Sequence, residues 1–278
     1  MVDEIINEFY DKDHHYGYDY VYTIDYAPKN DKEFRLHNHD DSYEIFLFIS
    51  GDANFHIEGN IYQSHPHNIY IARPFELHHN VFLSTDKYER IIINLKLDFF
   101  DTNNCKELES IFINRELGTQ CQIPGKIVDR EMYHLIMKMN QYLKEGAYDI
   151  SKYVLFEFLY LLNHIDEPLT VPTIQDERIK NILIYINEHL SESLSLDQLS
   201  QKLFINKYYL CRIFKAFTGY TINQYINTKR LLLAHELAQK GQSLLEASVN
   251  AGFNNYSHFY KMHKKKFGTS PKITLLLL

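Results

Sequence analysis

Cysteine, proline and glycine are all sparse in this chain of 278 residues, at three, seven and ten. Cys105, Cys121 and Cys211 stand far apart and without C-x-x-C spacing, which argues against a disulfide framework and predicts inert, reduced thiols. So little Gly and Pro, beside 45% apolar residues, excludes a fibrous or disordered chain. No apolar run reaches the roughly 18 to 20 residues of a membrane span. The start, MVDEIINEFYDKD, is acidic where a signal peptide is basic and then apolar. The expectation is a cytoplasmic protein with no membrane partner, long enough for two domains that each bury a core.

A single sign of charge is missing too. Residues 1–175 hold 15 Lys and Arg against 29 Asp and Glu, while residues 176–278 hold 14 against 7, so the net charge of −7 hides an acidic part and a basic one. The basic part is suited to a polyanion.

From Tyr20 to about Leu97, short runs alternate apolar and polar residues (YEIFLFIS, ANFHIE, NIYIA, YERIIINLKL). They break at Gly51-Asp52, Gly59-Asn60 and Arg73-Pro74, the pattern of an antiparallel sandwich or small barrel. Beyond Asp129 the period becomes helical, with Met132, Leu135, Ile136, Met139 and Leu143 on one stripe. Tyr153 to Ile165 gives a second helix, apolar on most of its circumference, which needs cover from the sheet, the preceding helix or a second copy in a homodimer. The following run, DEPLTVPT, has two prolines and no period. The chain is therefore predicted to be α+β: residues 1–165 an antiparallel β-barrel followed by helices, 166–176 a linker, and 177–278 an all-α domain.

The basic part contains a weak duplication. Ser195-Leu196-Asp197-Gln198 and Ser243-Leu244-Leu245-Glu246 are both capping boxes, each opening a short helix. A turn follows each, and Asn206 in the first copy, Asn254 or Asn255 in the second, can cap another helix, with Gly252 available for a left-handed turn. In those second helices Leu210, Ile213, Phe214 and Gly219 match Phe259, Met262, His263 and Gly268 at a constant offset of 49. The spacing i, i+3, i+4 makes these the buried stripe, with each Gly as the C′ residue. Left outside are Lys207, Tyr208, Cys211, Arg212 and Lys215 in one copy, and Tyr256, Ser257, Tyr260, Lys261 and Lys264 in the other. A capped helix, a tight turn and a second helix with a basic face is the helix-turn-helix pattern, whose second helix enters the major groove. Between the copies, residues 225–237 form a periodic helix without Gly or Pro, able to set the readers about one DNA turn, near 34 Å, apart.

This part resembles the AraC-type transcription regulators. Tyr209-Leu210-x-Arg212-Ile213-Phe214-Lys215, Gly219, Arg230-Leu231-x-x-Ala234, Gly252-Phe253, Ser257-x-Phe259, Lys264, Phe267-Gly268 and Ser270-Pro271 carry the likeness. Two departures stand out: Ala247-Ser248 replaces the usual Ile-Ala, and His263 replaces Phe, which is expected to cost packing. The resemblance implies base reading by Tyr208, Cys211 and Arg212 in the first unit and by Tyr256, Ser257 and Lys261 in the second. Arg212, with its forked guanidinium, is the candidate for a guanine. Lys215 and Lys264 suit phosphates. With Asn206, Lys207, Asn255 and Tyr260 they complete the predicted surface for double-stranded DNA.

The stretch HNHDDSYE poses a different question. His37-x-His39-x4-Glu44-x6-Gly51 is similar to the first motif of the cupins, and Pro66 to His78 resembles the second, with Asn68 in place of a Gly. In metal-binding cupins His37, His39, Glu44 and either His78 or His79 would be ligands, a donor set suited to Zn, Mn or non-haem Fe. The same motif is similar to the sensor halves of AraC-type regulators, where a pocket holds a small effector. No separate nucleophile, acid–base pair or cofactor loop accompanies it, so neither catalysis nor a cofactor is expected. The reading is a DNA-binding regulator, more often an activator in this family and so a partner of RNA polymerase. Its cupin-like barrel is expected to bind a small effector through His37, His39, Glu44, Tyr62 and His78. An effector-independent dimeric DNA binder, and a cupin metalloenzyme with a DNA module, are the alternatives.

Overall fold

A computed structural model describes residues 6–10, 17–26, 42–74, 76–166, 177–218, 220–267 and 270–272. The chain divides into two compact units, Met1–Ile174 and Gln175–Leu278. The predicted linker lies almost wholly outside the described residues, as do Gly219, Gly268 and the terminal leucines.

In the first unit the strands are β1 (Ile6–Tyr10), β2 (Tyr18–Tyr26), β3 (Ser42–Ser50), β4 (Ala53–Ile57), β5 (Asn60–Gln63), β6 (Ile69–Ala72), β7 (His78–Phe82), β8 (Lys87–Lys96) and β9 (Gln122–Ile123). They pair antiparallel in a six-stranded sheet, β1-β2-β8-β3-β6-β9, and a three-stranded sheet, β5-β4-β7. The sequence predicts a barrel; among the described residues the two sheets face each other without strand pairing between them, so the cupin-like sheets do not close. The short helices α1 (Phe99–Thr102) and α2 (Ser110–Ile113) lead to two long ones, α3 (Gly125–Lys144) and α4 (Tyr148–Asn163).

Strand periodicity explains the layering. Tyr18 and Tyr20 of β2 are buried and their hydroxyls donate to Ser151 Oγ (3.0 Å) and the Ile136 carbonyl (3.2 Å), so this face carries α3 and α4. The alternate residues of β3, Glu44 and Phe46, face the small sheet, where Phe46 meets Phe55 at 5.7 Å between ring centres. Covered on both faces, β3 is buried at every position but its last. A buried ion pair closes one end: Glu76 accepts from both Arg115 terminal nitrogens, from Gly118 N (2.9 Å) and from Arg73 N (3.0 Å).

The second unit is helical: α5 (Glu177–Glu188), α6 (Leu196–Leu203), α7 (Lys207–Thr218), α8 (Ile222–Gln239), α9 (Leu244–Asn250) and α10 (Tyr256–Phe267). Both predicted capping boxes are present, and Thr221 with Gln224 forms another at the start of α8. The α7 stripe, Leu210, Ile213 and Phe214, is buried, with Phe214 edge-on to Tyr225 of α8. On the later part of α8, Leu231 and Ala234 pack with Ala251, Phe253 and Phe259. Tyr225 and Ala234 are nine residues apart, about 13 Å along the helix axis, so one helix seats both units. Among the described residues no helix is long and apolar enough to cross a membrane.

Candidate functional site

In the second unit the helices α6–α7 and α9–α10 each form a helix-turn-helix. The first turns at Phe204, left-handed at φ 54° and 96% exposed; the second turns at Gly252, φ +94°. Asn206 Oδ1 accepts from the amides of Tyr208 (3.0 Å) and Tyr209 (3.4 Å), which starts α7. Asn255 Oδ1 accepts from His258 N (2.8 Å), so Asn255 starts α10. Both asparagines are therefore committed to caps, leaving their amide NH2 groups for other contacts.

On α7, Tyr208 (86% exposed), Arg212 and Lys215 face solvent, and Cys211 is half-buried. Arg212 lies 5.3 Å from the centre of the Tyr209 ring, which steadies the guanidinium over an aromatic face. Lys207 bonds Asp197 of α6 at 2.7 Å, and this contact holds its ammonium above the ordinary lysine value. On α10, Ser257, Tyr260, Lys261 and Lys264 are exposed and Tyr256 is half-buried, its ring on Phe259. The structure thus places the predicted outward residues of α7 and of α10 on one face of each helix, with Cys211 and Tyr256 half-buried at its edge. Arg230 of α8 donates from Nε to the Leu190 carbonyl (2.8 Å) and from Nη2 to that of Glu192 (2.6 Å), an anchor the duplication did not point to. Burial pushes its pKa down from the ordinary arginine value.

In the first unit three of the five pocket candidates face the space between the sheets. Glu44 and His78 are both buried, with His78 Nε2 3.3 Å from Glu44 Oε1. His78 Nδ1 lies 2.8 Å from the Glu76 carbonyl, so it donates there and only Nε2 can turn to Glu44. Its neighbour His79 packs on His56 instead, ring centres 4.8 Å apart; consecutive strand residues point to opposite faces. Tyr62 is buried with its hydroxyl donating to the Gly118 carbonyl (3.2 Å), and burial raises its pKa well above the ordinary phenol value. It offers a ring, not a hydroxyl, to a ligand. His37 and His39 lie outside the described residues. Among the described residues no three His, Cys, Asp or Glu side chains group as a metal set.

Asn80 and Asn94 escape the sequence reading. Asn80 sits two residues beyond His78 on the same face, and Asn94 is paired across the ladder with Glu44. Each has a buried Oδ1 without a hydrogen-bond partner among the described residues. Strand alternation from His78 is the one signal that could have found Asn80. The three thiols are free; Cys121 is buried with its pKa pushed up to about 12, and burial also raises Cys105.

Two family descriptions match the chain: an AraC-like ligand binding domain over residues 23–141 and a helix-turn-helix domain over residues 199–275. The probable transcription factor PqrA of Proteus vulgaris is 33% identical over 96 residues, covering 34% of this chain and 79% of that one. The regulatory protein PocR of Salmonella typhimurium is 30% identical over 102 residues, 36% of this chain and only 34% of PocR. Among solved structures, a protein of unknown function from Listeria innocua is 33% identical, with a TM-score of 0.34, over 36% of this chain and 95% of that one.

Proposed function

The chain belongs to the AraC-type transcription regulators, DNA-binding proteins with a ligand-binding domain, and from that premise we propose how its parts divide the work. Residues 177–278 read a specific duplex sequence, residues 166–176 link, and residues 1–165 bind a small effector and pair two copies. The observation that carries the reading is the pair of capped helix-turn-helix units, each with an exposed, basic reading face, seated on one uninterrupted helix. Arg212, Tyr208 and Cys211 contact bases from α7; Tyr256, Ser257 and Lys261 do so from α10; Lys215 and Lys264 hold phosphates. Asn206, Lys207, Asn255 and Tyr260 border these contacts, and Lys207 must exchange Asp197 for the duplex.

The effector lies between the sheets against Glu44, Tyr62 and His78, and His37 and His39, outside the described residues, are its further proposed contacts; the buried Asn80 and Asn94 oxygens support a polar ligand there. Homodimerisation through α4, whose Tyr153 and Tyr160 are 66% and 53% exposed, transcriptional activation with RNA polymerase, and work in the cytoplasm without catalytic turnover complete the proposal. Selection from a random duplex library followed by footprinting tests it. A preferred sequence is expected, and Arg212→Ala should weaken binding to it by roughly 1–3 kcal/mol. Binding that falls steeply with salt and prefers no sequence would refute specific regulation. A ligand that shifts DNA affinity must have its own affinity shifted by DNA to the same degree.

A further inference from the structure

We propose that Arg178 and Tyr209 are positioning residues for Arg212: Arg178 of α5 ties down the Tyr209 ring through its hydroxyl, and the ring in turn holds the Arg212 guanidinium ready for a base. Arg178 donates from Nη1 to the Tyr209 hydroxyl, with its guanidinium carbon 5.6 Å from the ring centre. The Arg212 guanidinium carbon lies 5.3 Å from the same centre. One half-buried ring therefore has an arginine from each of two helices against it. This role rests on the reading of Arg212 as a base contact.

Local structure sets up the contact. Tyr209 and Arg212 are three residues apart on α7 and so are neighbours on its surface. The Tyr209 amide donates to the Asn206 cap (3.4 Å), which fixes the backbone under the ring. Arg178 stands in the first turn of α5, a helix that buries Ile179, Ile182, Leu183 and Ile186 and packs on α6 and α7. The arrangement belongs to the first unit: at the offset of 49 the second has His258 and Lys261, and His258 stands edge-on to the Phe253 ring, 5.6 Å between centres.

An exposed arginine samples many rotamers, and ordering it only on binding lowers affinity roughly two- to tenfold. A ring that already carries the guanidinium removes part of that cost, because the cation is attracted to the aromatic face. The ring does so only while its own side-chain angles are held. A hydrogen bond from a charged donor, stronger than one between neutral groups, holds its far end. A phosphate contact by Arg178 would act differently. Loss of a surface cation weakens binding to every duplex and lowers the salt slope, whereas loss of a positioning contact lowers the preference at the base pair that Arg212 reads.

The test uses the full chain with nitrogen-labelled arginine and the duplex that the wild type selects; the base pair in question is the one at which Arg212→Ala loses preference. In the free protein, relaxation of the Arg212 Nε–H group should show more motion in Tyr209→Phe and in Arg178→Ala than in the wild type, and no further motion in the double variant. On DNA, Tyr209→Phe keeps the ring and both positive charges, so it should lower the preference at that base pair roughly two- to threefold and leave the salt slope and the affinity for unrelated duplexes unchanged. Arg178→Ala should lower the same preference by the same factor, and the double variant by no more. An Arg212 group equally ordered in Tyr209→Phe, or losses that multiply in the double variant, would overturn the proposal. So would an Arg178→Ala that weakens all duplexes alike without touching the preference, or a preference that only Arg212→Ala changes. If Arg212 loosens in both variants while Arg212→Ala itself alters no preference, the positioning contact stands and the base-reading role of Arg212 falls.

Discussion

Replacing Gly252 by Ala should cost far more than the same change at Gly241. The two glycines bracket α9 and have nearly the same backbone, φ +94° and +95°. An L side chain in a left-handed conformation costs about 1–2 kcal/mol, and at Gly241, with nothing within 4 Å of the added Cβ, that is the whole expected effect. At Gly252 the Cβ would stand 2.6 Å from the Leu190 carbonyl oxygen, 2.9 Å from Arg230 Nε and 3.0 Å from Ser191 Cα. Two of these atoms belong to the 2.8 Å hydrogen bond that anchors Arg230, so the methyl must pry that bond apart or shift backbone. Overpacking of this kind adds about 1–3 kcal/mol, for a total of about 2–5 kcal/mol. Native-state amide exchange of the full chain reads the opening free energy of α8–α10 separately from the first unit. Loss of sequence-specific DNA binding should accompany the larger destabilisation. If Gly252→Ala loses no more than Gly241→Ala, within about 0.5 kcal/mol, the close approach at Leu190 is not what fixes the turn.

Other outcomes follow from single contacts. Glu76→Gln leaves Arg115 buried with its charge uncompensated and should destabilise the first unit by about 3–5 kcal/mol in urea unfolding; a cost under about 1 kcal/mol would mean the pair is dispensable. Lys215→Ala should weaken binding to all duplexes alike and lower the salt slope by about one, whereas a change of preferred sequence would make Lys215 a base reader. Ser243 holds the Glu246 carboxyl below its ordinary pKa through its hydroxyl (2.7 Å) and amide (3.1 Å). A depressed carboxylate contributes its stability above the unfolded value, about 4.3, and loses it as pH falls through the lower folded value. Protection of α9 should therefore drop at acid pH in the wild type and not in Glu246→Gln; parallel curves would exclude the carboxylate as the cause.

What the sequence makes legible here is what is local. Ser195 with Gln198 and Ser243 with Glu246 need only three-residue spacing, and both boxes form. Thr221-Ile222-Asn223-Gln224 has the same spacing, but a search guided by the duplication passes over it because it belongs to neither copy. The alternation of β4 and β8 and the apolar run of β3 are legible for the same reason, whereas β1 and the two-residue β9 carry too little pattern. Contacts between distant positions are not legible. Glu76 finds Arg115 39 residues away, and nothing local distinguishes either from a surface charge. Likewise His263 reads as a packing defect until His235, 28 residues earlier, is seen beside it. In the candidate site, Glu44 and His78 come from a motif and strand alternation extends it to Asn80, but Asn94 depends on strand register, which the sequence does not specify residue by residue.

The grip of Arg230 on α5's exit follows the course of the chain and ignores its side chains. Both acceptors are main-chain oxygens, of Leu190 and of Glu192, so position 192 can drift through many residue types while the clasp persists. Position 230 has no such latitude: an ammonium in place of the planar fork could not reach both carbonyls in fixed directions, and the seat shared by the two helix-turn-helix units would lose its bearing on the helix before them.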